Sequence, residues 1–204
     1  MDIFGFFPQT LQGCDMLATG GTTPHRVFLP DFFDGQPCPI ELYPPTPATK
    51  DKLSAWFGAH GDAVAGSERL AALLPHVKRF AGEGVAKWAA LGYCWGGRVV
   101  ALASGGAGTP LVCSAQCHPA ALKAEDAARI AIPHLVIISQ DESKQDFEKF
   151  KAAATGCKRL DTHVFDKMIH GGMAARCDFD DPVALKCYEE GYKIAVGFFD
   201  KELK

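Results

Sequence analysis

No uninterrupted apolar stretch in this sequence approaches the roughly 20 residues that a bilayer crossing needs. Its first residues, MDIFGFFPQTLQG, carry neither a basic leader segment nor a small-residue cleavage site. An excess of one charge is missing too, since 21 Lys and Arg against 24 Asp and Glu leave a net −3. Nothing in that balance suits a polyanion such as DNA or an acidic membrane surface. Internal repeats and low-complexity tracts are also lacking. These absences lead us to expect a cytoplasmic protein with neither nucleic-acid nor membrane partners.

What is present is ordinary globular material. The 204 residues, 48% apolar and 22% charged, suit a single domain spanning 1–204 around one core. Eight cysteines are an even number, but a chain of this size does not need disulfide staples. Cys94, Cys113, Cys117 and Cys187 sit in apolar surroundings where reduced thiols are common. The one shift in composition is Pro30 to Pro47, where six prolines fall together. Such a stretch cannot form a central strand or a helix interior, so it reads as a long surface loop forming a rim or lid.

Short apolar runs alternate with amphipathic segments over the rest. Strands are expected at His25–Pro30, Lys87–Tyr93, Leu111–Cys117, His134–Ser139 and Leu160–Asp166. Helices are expected at Pro8–Ala18, Gly66–Gly82, Trp95–Ser104, Leu122–Arg129, Lys144–Ala154 and Pro182–Lys201. Alternation of this kind predicts an α/β fold: a doubly wound, mostly parallel sheet buried between helices.

The chemistry concentrates at Gly92-Tyr93-Cys94-Trp95-Gly96-Gly97, which follows an apolar run and precedes a helical segment. This is the form of a nucleophile elbow with cysteine as the nucleophile. A sharp strand-to-helix turn needs glycine on both sides to lift the side chain above the sheet. The helix N-terminus behind it favours a thiolate and a developing oxyanion, with the Trp95 N–H as one donor. The bland alternative is a glycine-rich turn around a structural cysteine. Partners in the order nucleophile, acid, histidine favour the elbow. Asp141 is the first acid after the run Leu135–Ile138, at a strand's carboxyl end where catalytic groups of open sheets gather. Glu142 and Asp146 are its rivals. His170 lies in the Gly-rich loop before the last helix; His118 is the rival base, and His163 reads as a packed residue.

GYCWGG, the acid of ISQDES and HGGMAAR together resemble the dienelactone hydrolase family. The opening DIFGFFPQTLQGCDMLA with HRVFLPDFFDGQP, and Cys117-His118-Pro119, are similar to that family as well, so the resemblance covers essentially the whole chain. It implies a Cys94–His170–Asp141 triad cleaving small lactones or esters without metal or organic cofactor. It further implies a second oxyanion N–H from Ile3 and a thiol-holding role for the acid at Asp2. Arg176 matches the family's arginine after the histidine at a longer spacing, and a substrate carboxylate is its natural partner. The same resemblance places Met1–Gly5 at the end of the family's third strand. The sheet is then expected to be reduced to about five strands. Either His25–Pro30 closes directly onto Lys87–Tyr93 or an open slot separates them, and a chain extended upstream by strands should be more stable.

Two other constellations are set aside. Cys113, Ala115 and Cys117 share one strand face as an apolar stripe, and with His118 they offer no fourth zinc ligand. The glycines at 105, 106 and 108 have no phosphate-loop pattern. Three functions remain: ester or lactone hydrolysis through a thioester, acyl transfer or lactonisation on the same scaffold, and a ligand-binding or redox-sensing relative without turnover. The oligomeric state is open between monomer and homodimer.

Overall fold

The computed structural model describes every residue except Glu83, Ala86 and Ala107. Four parallel strands form one sheet in the order of the chain: β1 (Ala89–Tyr93), β2 (Cys113–Cys117), β3 (His134–Ile138) and β4 (Leu160–Val164). Seven helices accompany it among the described residues: α1 (Pro8–Thr19), α2 (Lys50–His60), α3 (Ala63–Ala81), α4 (Trp95–Ala103), α5 (Ala124–Ala127), α6 (Lys144–Ala153) and α7 (Pro182–Glu202). Each crossover between neighbouring strands carries a helix, as parallel pairing requires. Among the described residues, no helix is long and apolar enough to cross a membrane.

Period-two alternation divides the core. On β3, Leu135 and Ile137 join Cys113, Ala115 and Cys117 of β2 against α7, where Tyr188, Tyr192, Ala195 and Phe198 are buried. Val136 and Ile138 face the other way, onto Ala101 of α4, Ala127 of α5, and Phe147 and Phe150 of α6. The cysteine stripe is thus core packing. All eight cysteines are free thiols.

Among the described residues the sheet has four strands, a reduced sheet close to the about five expected. His25–Pro30 is not part of the sheet and has no strand partner among the described residues. Among the described residues, only the His25 N–H of this segment has a main-chain partner, the Ala18 carbonyl. Its composition suits a strand, but a strand also needs a neighbour, and β1 does not reach it. An open slot of about 410 Å³ separates the two, lined by Val27, Phe28, Leu29, Leu74, Trp88 and Leu91. Of the two forms expected for a reduced sheet, the open one is found.

Other boundaries shift modestly. The long third helix starts three residues early because Asp62 caps it, accepting from Val64 and Ala65 N–H. The helix expected at Leu122–Arg129 shrinks to the single turn of α5. The helix α2 was not expected. Of its 11 residues only Leu53 is buried, so it lacks the apolar stripe that announces a helix.

Candidate active site

The elbow is built at the carboxyl end of β1. Cys94 alone separates β1 from α4, at φ 53° and ψ −118°, a conformation that non-glycine residues rarely hold. Its main chain is fixed on both sides. The N–H donates to the Cys117 carbonyl (3.1 Å), and its carbonyl accepts from Gly97 (3.1 Å) and Ala120 (3.0 Å). A Cβ at Gly92 would collide with the Gly96 carbonyl, and one at Gly96 with the Met1 carbonyl, so both positions require glycine. The turn stays strained because its surroundings over-determine it. Of the first-turn N–H groups of α4, that of Gly97 donates to the Cys94 carbonyl, and those of Trp95 and Gly96 lead the helix directly after Cys94. Trp95 itself is anchored by its indole N–H on the Gly61 carbonyl (3.0 Å) and by Phe32 and Phe33.

His170 comes to Cys94 from the loop between β4 and α7. Its Nδ1 sits 2.6 Å from Glu142 Oε1, while the other carboxylate oxygen of Glu142 accepts from the Ser139 N–H. With Nδ1 engaged, Nε2 remains to serve the thiol. Burial pulls the imidazole toward its neutral form, but hydrogen bonds and charge from Cys94 and Glu142 prevail and raise its pKa from 6.5 to about 10. The imidazole is therefore held in its protonated form at neutral pH.

The expected acid is corrected by this geometry. Asp141 does not touch the imidazole. It accepts the main-chain N–H of His170 at 2.7 Å, and the neighbouring Glu142 holds the ring. The longer side chain of Glu142 reaches Nδ1 from the strand end, whereas that of Asp141 reaches only the backbone of the loop.

Asp2 is corrected likewise. Its carboxylate is fully buried and accepts from the Phe4 N–H (2.9 Å) and the Ala175 N–H (3.2 Å), so its lone pairs tie two loops together instead of holding the thiol. Burial raises its pKa against those two bonds. Ile3 lies in the same buried cluster as Cys94 and Trp95, and its carbonyl accepts from the Cys38 N–H (2.8 Å). Arg176 donates to the His170 carbonyl and stacks its guanidinium 4.6 Å from the centre of the Tyr43 ring. Tyr43 belongs to the proline-rich segment, and its ring also lies 6.3 Å from that of His170. The segment does form a rim over the site.

His118, the rival base, is also here. It is completely buried, with its ring 5.3 Å from that of His170. Burial first, then the neighbouring His170, pushes its pKa well below the usual histidine range. A ring that cannot take up a proton is a poor general base. His163 packs on Phe165 at 4.4 Å, away from the elbow. Among the described residues, no three His, Cys, Asp or Glu side chains are arranged to hold a metal ion. Sequence reasoning passed over Tyr43, whose ring meets Phe4, His170 and Arg176, all distant in sequence. It ranked Glu142 second, on position along the helix alone.

Comparison with known proteins gives a consistent picture. The profile of the Dienelactone hydrolase family matches residues 1–200. Two uncharacterized AIM2 family proteins of Schizosaccharomyces pombe are similar over nearly the whole chain. One is 35% identical, covering 98% of this chain and 79% of its own length; the other is 29% identical, covering 100% and 81%. Among solved structures, a predicted CIB-like hydrolase from Thermoplasma acidophilum aligns with 69% of this chain at a TM-score of 0.46 and 17% identity. The chain spans 61% of that protein's length.

Proposed function

From its membership of the dienelactone hydrolase family, shown by the match over residues 1–200, we propose that this chain is a hydrolase of small carboxylic esters or lactones. Cys94 is its nucleophile, His170 its proton carrier and Glu142 the acid that orients the imidazole. The observation that carries this reading is the imidazole held between the Glu142 carboxylate at 2.6 Å and the thiol of a strained elbow cysteine.

The reaction starts from a thiolate–imidazolium pair. The thiolate attacks the carbonyl carbon and a tetrahedral oxyanion forms against the first-turn N–H groups of α4, with a second donor from the Ile3 loop. The imidazolium Nε2–H passes its proton to the leaving alkoxide, which gives an alcohol and a Cys94 thioester. Water then attacks the thioester while His170 takes its proton, releasing the acid and restoring the pair. No step requires a cofactor. A reducing, cytoplasmic compartment would keep Cys94 and the other seven thiols reduced. Arg176, stacked on Tyr43 at the rim, would receive a substrate carboxylate.

Turnover of p-nitrophenyl acetate, with mass spectrometry of the quenched enzyme, tests the reading. An acetyl adduct on the peptide bearing Cys94 is expected, and both adduct and turnover should vanish in Cys94→Ala. Undiminished turnover in that variant would remove Cys94 from the mechanism. Arg176→Ala should slow a carboxylated ester at least tenfold more than a neutral one of equal size, and an equal effect would remove the carboxylate role.

A further inference from the structure

The loop that carries His170 is clamped by buried groups that the chemistry above does not use. Three elements converge on one residue of it, Met173, which is completely buried. Its carbonyl accepts from the Tyr192 hydroxyl of α7 at 2.8 Å. Because that hydroxyl donates its proton to Met173, it accepts from Tyr93, at the end of β1, at 2.7 Å. The N–H of Met173 donates to His118 Nε2, at the end of β2, at 3.4 Å. His118 in turn lies 5.8 Å from the Tyr93 ring in a near-parallel stack, and 5.3 Å from the His170 ring edge to face.

Three facts separate His118 from an ordinary packed side chain. A fully buried imidazole in a tight core costs desolvation that an apolar side chain would avoid. Its main chain sits at φ 37°, beside Cys94 at φ 53°, so two strained non-glycine residues end adjacent strands. And, among the described residues, the one hydrogen bond of its ring is with the loop that bears His170, three residues from it.

We propose that His118 is a positioning residue for His170: its Nε2 holds the Met173 N–H and so fixes the loop that carries the imidazole. To accept at Nε2 it must be neutral, with its proton on Nδ1. Complete burial keeps it so across the working pH range, and a neutral neighbour lets the His170 imidazolium form 5.3 Å away without like-charge repulsion. The other groups around His170 are the Glu142 carboxylate and the Cys94 thiol at the ring, the Asp141 carboxylate at its N–H, and the Arg176 guanidinium at its carbonyl. The Tyr43 ring lies beside it, and Asp2 acts through space.

This inference rests on the assignment of His170 to the proposed reaction, and two measurements keep the two claims apart. Long-range 1H–15N NMR of the whole chain reads the tautomer without any substrate. His118 should show a proton on Nδ1, unchanged from pH 5 to 9, whereas an Nε2–H form or a titration in that range would overturn the proposal. A pair of variants then separates hydrogen bonding from packing. His118→Gln keeps an acceptor near Nε2 and loses the ring; His118→Phe keeps the ring and loses the acceptor. His118→Phe should lower kcat at least tenfold with little change in KM. It should also slow the alkylation of Cys94 by iodoacetamide at pH 7, because the pair with His170 is loosened. His118→Gln should stay within about threefold of the parent in both assays. The reverse order, or two variants equal to the parent, would mean that the ring only fills space. If the ester assay fails for every protein while the tautomer and alkylation results hold, the substrate reading falls and the positioning role stands.

Discussion

At the scale of single residues, the two adjacent acids after β3 divide the work. Glu142 bonds the ring of His170 and Asp141 its backbone. Glu142→Gln should lower kcat about 10- to 100-fold, the usual loss when a group orienting a catalytic ligand is neutralised. Asp141→Asn keeps an acceptor oxygen for the N–H and should cost only a few-fold. The steady-state rates of the two variants decide between them, and the opposite order would restore Asp141 to the triad. The pH profile follows from the raised pKa of His170. An ordinary histidine base predicts activity rising through pH 6 to 7. With the imidazole holding its proton to about pH 10, that limb is absent. Instead kcat/KM should fall as pH rises through about 10, where the proton for the leaving group is lost. The same shift affects stability. Because the folded pKa lies above the unfolded one, the charged imidazole stabilises the fold fully below about pH 6.5, and that contribution is lost as pH climbs through 10. Denaturant melts at pH 7 and 10 should show a drop in the parent chain that is shallower in His170→Gln.

Among secondary-structure elements, the contact of α3 with α4 supports the elbow from behind. Gly66 lies where a methyl group would press on the Trp95 ring and on Val99. Gly66→Ala should therefore cost about 1–3 kcal/mol of stability, despite alanine's better helix propensity, because α3 has to move outward. A thermal melt unchanged or raised would show that the helix can shift at no cost. Asp62→Ala, which strips the cap of α3, should cost about 1 kcal/mol and leave turnover alone, as chemical denaturation and rate measurements can verify. The same elements indicate how much the sequence discloses. The strands β2 and β3 were legible as apolar runs because both faces of each are buried. The elbow was legible because Gly92 is demanded locally, by a collision with the Gly96 carbonyl within the same turn. His25–Pro30 was misread because its residues favour extended backbone whether or not a partner strand lies beside them. The choice between Asp141 and Glu142 depends on side-chain reach across a loop 28 residues away, which no local pattern encodes. Helix α2 escaped notice because it rests on the rim through Leu53 and its aromatic rings, without an apolar stripe.

Over the whole molecule, the buried strands β2 and β3 lie between two edge strands, β1 and β4, that are only partly covered. β2 and β3 are buried at every position, while Ala89, Ala90 and Leu91 of β1 are only half-buried beside the slot. The segment across the slot is held by side chains and loop ends. Arg26 reaches the Ala81 carbonyl, Phe28 lies against Trp88 at 6.0 Å, and Val27 and Phe28 are exposed. Local stability should differ accordingly. Amides of Arg26–Leu29 should exchange with solvent nearly as fast as in an unfolded peptide, while those of Val136 and Ile137 should exchange only by global opening. Uniform protection across both would contradict the open edge.

The slot also bears on how the catalytic centre responds to warming. The chain continues from Pro30 straight into the rim, where Phe32 and Phe33 contact Trp95 and Tyr43 lies over His170. The rim thus hangs from the segment beside the slot, while Cys94 stands at the buried end of β1, after Gly92 and Tyr93. Moderate heating should loosen the roof over Cys94 while its floor stays rigid. Iodoacetamide should then alkylate Cys94 faster than simple thermal activation allows, well below the temperature at which the circular dichroism of the sheet begins to change. The enzyme's gate and its frame would melt as separate bodies, and its upper working temperature would be set by the gate.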